Sequence, residues 1–255
     1  MRRKSEAASA ETGRKRRRGT IPIALGLVCI LGAGGLTAWN VWDAWRAEQA
    51  SGAVLEAWQA AVEASADVTQ ESPSDSVSAA EDAAEEEEEE KSLSGEAVLR
   101  PLSEAEYPDY VLDPEMDMPE IEIDGETYIA LLEIPDLDLS LPVCGSWSYS
   151  NLRVAPCRYS GSAYLDNLVI CAHNYTSHFA NIRYLSAGSQ IYLTDADGNT
   201  FTYTVTQVEI LEPTAIDEMI TGDDWDLTLF TCTTGGQARV AVRCTRQADY
   251  SYLAG

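Results

Sequence analysis

The sequence has little basic charge. It contains 17 lysine and arginine residues against 42 aspartate and glutamate residues, so its formal net charge is −25 at pH 7. A nucleic-acid-binding surface needs clustered cations to neutralise phosphates, so this composition argues against a nucleic-acid partner. The few cations are also unevenly distributed, because eight of them lie within the first twenty residues.

Histidine is scarce and cysteine is scattered. The only two histidines are His173 and His178, so any imidazole chemistry must use one of them. None of the six cysteines forms a CxxC pair, which argues against a thiolate zinc site, and the chain is too long for a small disulfide scaffold. The six are Cys29, Cys144, Cys157, Cys171, Cys232 and Cys244.

Residues 21–39 contain no charged side chain and are mostly apolar. About 20 such residues are needed to cross a bilayer, so the segment predicts a transmembrane anchor, with a cleaved signal peptide as the alternative. Trp39, Trp42 and Trp45 follow it like an interfacial aromatic belt, which favours the anchor. Basic residues 1–20 would then stay in the cytoplasm, and the rest of the chain would lie outside.

Residues 40–66 are rich in Ala, Glu and Gln and contain no proline. Val54, Leu55, Trp58 and Val62 fall on one helical face. The pattern predicts a helical stalk, and a helix that pairs with itself or with a partner is the alternative.

Residues 67–94 have low complexity, lack aromatic side chains and include the glutamate run 85–90. Such a composition cannot bury a core and predicts a disordered acidic linker. A calcium or partner site in the glutamate run is the alternative.

Residues 95–255 have the composition of a globular domain, with short β-rich runs between turn signals. Residues 195–199 predict a hairpin turn that resembles half of a calcium loop without its later ligands. Regularly spaced strands with few helices indicate an antiparallel barrel or sandwich. The predicted strands are Tyr128–Ile134, Leu139–Val143, Leu168–Ala172, Gln190–Thr194, Thr200–Leu211, Leu227–Cys232 and Arg239–Thr245.

Two alternating runs flank Gly235 and Gly236 near the end of the chain. A two-residue Gly-Gly hairpin turn would place Cys232 opposite Arg239, on the face away from the apolar core side. A guanidinium beside a thiol favours the thiolate and would stabilise an oxyanion formed there. A three-residue loop would shift the register and move one of the two side chains to the other face. For Cys232 itself, the alternative role is that of a small buried apolar residue.

His173 ends the buried run that begins at Leu168. Cysteine chemistry needs an imidazole near the sulfur to take up or donate a proton, and His173 is the best candidate. His178 lies in a predicted short helix and is the weaker candidate. Cys171 would share a face with His173, either as a second thiol near the site or as a core residue.

These residues together resemble the sortase family. Thr228–Cys232 fits the family's Thr-Leu-x-Thr-Cys strand, Ala172-His173-Asn174 fits its strand-end histidine, and Arg239 fits its arginine on the following strand. Residues 128–135 are similar to its opening strand, so the resemblance covers about residues 125–246. It implies a closed eight-stranded β-barrel with short helices.

The resemblance also implies a cysteine transpeptidase that cleaves a C-terminal sorting signal similar to Leu-Pro-x-Thr-Gly on secreted proteins. By analogy Cys232 is the nucleophile, His173 the general acid and base, and Arg239 the residue that stabilises the oxyanion or positions the substrate. The acceptor amine would come from a peptidoglycan precursor or a pilin lysine, and no metal or organic cofactor is implied. Asn174, Thr231 and Ile216 are predicted to contact the substrate.

Two features leave the sortase subclass open. The hairpin after Cys232 and the segment 212–225 are shorter than in many relatives. Asp113-Pro114 lacks the following aromatic residue of pilin-sortase lids, so residues near it predict either a lid or a structural wrap. A cysteine hydrolase with the same site and a non-catalytic module that binds peptides or wall polymers are the alternative functions.

Overall fold

The computed structural model describes residues 17–70, 107–220 and 224–248. The chain divides into two compact units, Met1–Ala47 and Glu48–Gly255. The long helix α1, Arg17–Gln70, begins in the first unit and ends in the second.

In the first unit, α1 carries the apolar segment of the sequence. Its side chains from Ile23 to Val41 are all exposed. This is the one helix among the described residues that is long and apolar enough to cross a membrane, judged by length and composition. The exposed apolar surface suits a lipid environment better than water.

In the second unit, the remainder of α1 packs on the chain's own globular domain. Val54 and Trp58 are buried together with residues of the barrel wall, and Trp58 is only 3% exposed. The apolar face predicted for residues 40–66 is thus used within the chain. The helix ends at Gln70, and residues 71–94 of the predicted linker lie outside the described residues.

In the described part of the chain nine strands form one sheet, and eight of them close into a barrel. The order is β1-β2-β3-β4-β5-β8-β9-β7-β6, and β2 also pairs with β6. β1 lies outside the closed ring as a hairpin arm of β2. The strands are β1 Ile121–Ile123, β2 Glu126–Ile134, β3 Leu139–Cys144, β4 Cys157–Ser160, β5 Leu168–Ala172, β6 Gln190–Asp195, β7 Thr200–Leu211, β8 Leu227–Cys232 and β9 Arg239–Arg246.

The barrel is mixed rather than purely antiparallel, which corrects the expectation from strand spacing. β3 and β4 run parallel, as do β5 and β8. Parallel neighbours need a crossover connection, and the chain makes one by building β6 and β7 between β5 and β8. β1 and β4 were not predicted from the sequence because they span only three and four residues.

The barrel wall has an apolar interior and a second buried cluster on its outer side. Leu227 and Leu229 of β8 face inward beside Val242 and Cys244 of β9, within the interior core. Alternate residues of the same strands, including Phe230, belong to the outer cluster. This period-two alternation sends alternate side chains of β8 and β9 to opposite faces of the wall.

Residues 107–118 cover the end of the barrel remote from Cys232. Tyr110, in the short helix α2 (Asp109–Leu112), stacks on Tyr164 with 4.8 Å between ring centroids. The guanidinium of Arg246, the last residue of β9, lies 5.8 Å from the Tyr110 ring centroid. Of the two roles considered for the region of Asp113, the structure supports the wrap.

The predicted hairpin turn at residues 195–199 is present. The buried Asp195 carboxylate accepts hydrogen bonds from the backbone N–H groups of Asp197 and Asn199 at 3.0 and 2.8 Å. It also accepts one from the Tyr164 hydroxyl at 2.7 Å. The Asp195 oxygens therefore stabilise the turn and bind Tyr164, in place of the calcium ligation considered for this sequence.

Candidate active site

Cys232 is the last residue of β8 and lies directly opposite Arg239, the first residue of β9. The register predicted from the sequence is confirmed, although the turn differs from the expected two-residue form. The backbone N–H of Thr233 donates to the Ala238 carbonyl at 2.9 Å, so these two residues also pair and the loop between them has four residues. This loop takes one more residue from each strand than the predicted two-residue turn. The pairing of Cys232 with Arg239 is therefore unchanged.

The parallel pairing of β5 with β8 brings His173 to the other side of Cys232. Ala172 pairs with Thr231 at the carboxyl ends of the two strands. His173 and Cys232 are the next residues on each strand, so they reach the same edge of the sheet. Both side chains are half-buried, which leaves them accessible to a substrate.

Arg239 is half-buried and its guanidinium turns toward the hairpin loop. Nη1 donates to the carbonyl oxygens of Ala238 and Gly236 at 3.2 and 3.4 Å. A guanidinium has five N–H donors, so these two contacts leave donors free to bind a carbonyl or an oxyanion. The nucleophile candidate thus has an imidazole on one neighbouring strand and a guanidinium on the other.

Apolar side chains form the outer face of the barrel behind this edge. Phe230, Cys171 and Val169 line it from β8 and β5, and Ala241 lines it from β9. The short helix α3, Ile216–Ile220, adds the buried Met219 to the same cluster. A low-polarity surface next to a thiol strengthens any electrostatic contact made to a bound substrate.

An aromatic row continues from this face to the surface, and sequence reasoning missed it. Phe230 meets Tyr159 with 5.3 Å between ring centroids, and Tyr159 stacks on Trp147 at 5.8 Å. Trp147 in turn meets the exposed Tyr149 at 6.0 Å. Exposed Trp and Tyr between turn signals were the available clue, but their alignment depends on the pairing of β4, which was not predicted.

The three predicted substrate-contact residues have different positions. Thr231 is 2% exposed and its hydroxyl donates to the Ala172 carbonyl at 2.8 Å, so the expected substrate contact is corrected to a bond between β8 and β5. Asn174 is half-buried in the bend after His173. Ile216 is 46% exposed at the start of α3, whose buried side is instead formed by Met219.

His178 is fully buried and serves the packing of α1. Its Nε2 lies 3.4 Å from the Ser51 hydroxyl, which donates to the Val154 carbonyl at 2.8 Å. Burial, followed by the nearby charge of His173, lowers the pKa of His178 from 6.5 to about 4. A neutral, enclosed imidazole is not placed for proton transfer to a substrate, so His173 is the better candidate.

The remaining cysteine considered for the site, Cys171, is a buried member of the outer cluster. Burial raises the pKa of its thiol to about 12. It is therefore protonated at neutral pH and a poor nucleophile. No cluster of three or more metal-binding side chains occurs in the described ranges.

Fold and site together define a closed β-barrel with a cysteine, a histidine and an arginine at the ends of three adjacent strands. A family model, the sortase domain, matches residues 132–247, a range that contains all three. Over these residues the chain is similar to the sortase family. No curated protein matches the chain.

Solved structures similar to this chain include several sortases. Sortase A from Corynebacterium diphtheriae is 24% identical over 49% of this chain, with a TM-score of 0.45, and the match spans 62% of that protein. Sortase C from Clostridium perfringens SM101 is 27% identical over 56% of this chain and 76% of its own, with a TM-score of 0.43. A Clostridium perfringens sortase D5 transpeptidase is 20% identical over 55% of this chain and 88% of its own, with a TM-score of 0.45.

Proposed function

We propose that this protein is a membrane-anchored cysteine transpeptidase. The observation that carries the proposal is the position of Cys232 between His173 and Arg239 on its two neighbouring strands. The substrate would be a secreted protein with a C-terminal sorting signal similar to Leu-Pro-x-Thr-Gly. α1 would hold the enzyme in the membrane, with residues 1–20 in the cytoplasm and the barrel outside.

The first half of the reaction forms a thioester. The Cys232 thiol gives its proton to His173, and its sulfur attacks the carbonyl carbon of the scissile peptide bond. Arg239 donates hydrogen bonds to the oxyanion that develops. The carbon–nitrogen bond then breaks as His173 protonates the departing amine. The N-terminal part of the substrate stays attached to Cys232 through a carbon–sulfur bond.

The second half transfers the acyl group to an amine. An amine of a peptidoglycan precursor or a pilin lysine attacks the thioester carbon while His173 takes its proton. The new amide forms, the carbon–sulfur bond breaks, and His173 returns the proton to the Cys232 sulfur, which regenerates the thiol. All proton transfers are carried by side chains already present at the site.

The test uses the full chain in detergent micelles with a library of Leu-Pro-x-Thr-Gly-like peptides and an amine acceptor. Mass spectrometry should detect an acyl group on Cys232 and an amine-exchanged product. Cys232→Ala should abolish both. Cys244→Ala is the matched control, because Cys244 lies in the barrel interior, and it should retain both.

The other outcomes separate the alternative functions. Cleavage without amine exchange, across several acceptors, would support a cysteine hydrolase with the same three residues. A Cys232 that no peptide acylates, in a folded protein that still binds peptides or wall polymers, would support the non-catalytic module.

A further inference from the structure

Three cysteines other than the nucleophile lie side by side across three strands. Cys144 at the end of β3 pairs with Cys157 at the start of β4, and Cys157 pairs with Cys171 of β5. All three are at most 5% exposed and belong to the outer cluster. Cys244, by contrast, is buried in the barrel interior opposite Leu227 and Val205.

The first pair sits at the weakest joint of the barrel. Within the described ranges, β3 and β4 are joined by the single residue pair Cys144–Cys157. Each of the other joints between barrel strands has at least three pairs. Closing a barrel removes exposed strand edges, so a joint held by one pair is where the ring opens most easily.

The two thiols lie on directly paired residues of β3 and β4. The neighbouring Cys144 side chain, together with burial, raises the pKa of the Cys157 thiol, and the Cys157 Sγ donates to the Ala155 carbonyl at 3.5 Å. Neighbouring strands lie about 4.8 Å apart, and disulfides accept Cα separations of about 4.4–6.8 Å. Cys157 also pairs with Cys171, but the β4–β5 joint has three residue pairs, whereas Cys144 and Cys157 form the one pair that joins β3 to β4 in the described ranges.

We propose that Cys144 and Cys157 form a redox site, with a reversible disulfide that locks β3 to β4. The proposal uses the extracytoplasmic location proposed above, where disulfides form and persist. When the joint opens to solvent, one of the two thiols ionises and attacks a disulfide of a small thiol compound or an oxidoreductase, giving a mixed disulfide and one free thiol. The second cysteine displaces the remaining thiol, so two cysteines lose two electrons and one disulfide is reduced to two thiols.

The position of the pair leaves the catalytic thiol free. Cys157 can bond to only one partner, so Cys171 remains a thiol in the oxidised protein. Cys171 pairs with Phe230, and Cys232 lies two residues further along β8. Such diagonal neighbours are about 7–8 Å apart, beyond the reach of an unstrained disulfide. Oxidation therefore closes the joint and keeps Cys232 available for acylation.

The experiment equilibrates the full chain in micelles with glutathione mixtures from fully reduced to fully oxidised. After acid quenching and alkylation, trypsin separates the extracytoplasmic cysteines into different peptides, because it cuts after Arg153, Arg158, Arg183, Arg239 and Arg243. Mass spectrometry should show peptide 154–158 linked to the peptide that contains Cys144. The melting temperature should rise by about 5–10 °C on oxidation.

Matched variants make the assignment specific. Cys144→Ser should lose both the link and the temperature rise, whereas Cys171→Ser and Cys244→Ser should keep them. Free thiols at Cys144 and Cys157 in fully oxidised glutathione would overturn the proposal, as would a link from Cys157 to Cys171. Mapping on the wild-type chain decides this even if a variant fails to fold. It requires no peptide substrate, so it is independent of the transpeptidase assay.

Discussion

The two ends of the outer face of the β8–β9 hairpin carry the same side chain in opposite situations. Arg243, at one end, is 1% exposed. Its guanidinium donates to Glu209 at 2.7 Å, to Thr228 at 2.9 Å and to carbonyls of α3, and it lies 4.4 Å from the Trp225 ring centroid. The guanidinium of Arg243 is thus engaged in structural contacts.

Arg239, at the other end, is half-buried and donates only to two carbonyls of its own turn among the described residues. The histidines differ in burial, since His178 is fully buried and His173 is half-buried. The difference teaches that residue type and strand face do not separate a structural cation from a functional one. The number of protein acceptors already bound does.

Replacing Arg243 with Ala should produce the largest loss of stability. The substitution leaves Glu209 and the Thr228 hydroxyl without their partner and opens a cavity beside Trp225. Removing one member of a buried ionic network costs about 3–5 kcal/mol. Thermal unfolding should show a drop of about 10 °C or more. If the melting temperature of Arg243→Ala fell no further than that of Arg239→Ala, the distinction between a structural and a functional arginine would be wrong.

Replacing Arg239 with Ala should lower activity and leave stability nearly unchanged. Loss of one donor to a developing oxyanion costs about 10²–10³-fold in kcat. A half-exposed side chain that binds only its own turn contributes about 0.5 kcal/mol or less. Arg239→Lys should recover part of the activity, because an ammonium keeps the charge and lacks the planar fork of donors. Unchanged kcat in a peptide-transfer assay would contradict the assigned role.

Acidification should test the enclosed histidine. His178 has its pKa lowered to about 4 by burial, from 6.5 in the unfolded chain, so protons bind the unfolded state more readily. Its contribution to stability is therefore full above pH 6.5 and is lost as the pH falls toward 4. The shift corresponds to roughly 3 kcal/mol at most.

The measurement compares unfolding free energies of wild type and His178→Gln from pH 8 to pH 4. Subtraction removes the carboxylates that titrate in the same range. The difference should vary with pH mainly between 6.5 and 4. A flat difference would mean that His178 is not enclosed in solution and that the packing of Ser51 against it is weaker than the structure indicates.

Local patterns in the sequence were sufficient for seven of the nine described strands and for the pairing of Cys232 with Arg239. The continuous apolar run of β5 and the β-rich runs of β7 and β8 predicted these strands with their observed bounds. The register is kept because the observed turn takes one more residue from each strand than the predicted one. The place of His173 beside Cys232 came from family resemblance, because a parallel pairing across two intervening strands leaves no local signal. The burial of Thr231 and the Cys144–Cys157 pair depend on the same long-range register.

The smallest effect concerns the bond that joins the two strand ends of the site. Thr231→Val removes the hydroxyl that donates to the Ala172 carbonyl, at a cost of about 1 kcal/mol. Because Ala172 precedes His173 and Thr231 precedes Cys232, the variant should also loosen their alignment and lower kcat several-fold at unchanged KM. Thr231→Ser should restore kcat. Thr206→Val is the matched control, since its hydroxyl also donates to a carbonyl, that of Arg243, but remote from Cys232. If both valine variants lowered kcat equally, Thr231 would have no special role in positioning Cys232 and His173. Activity at this end of the hairpin would then depend on Arg239 and His173 beside the nucleophile alone.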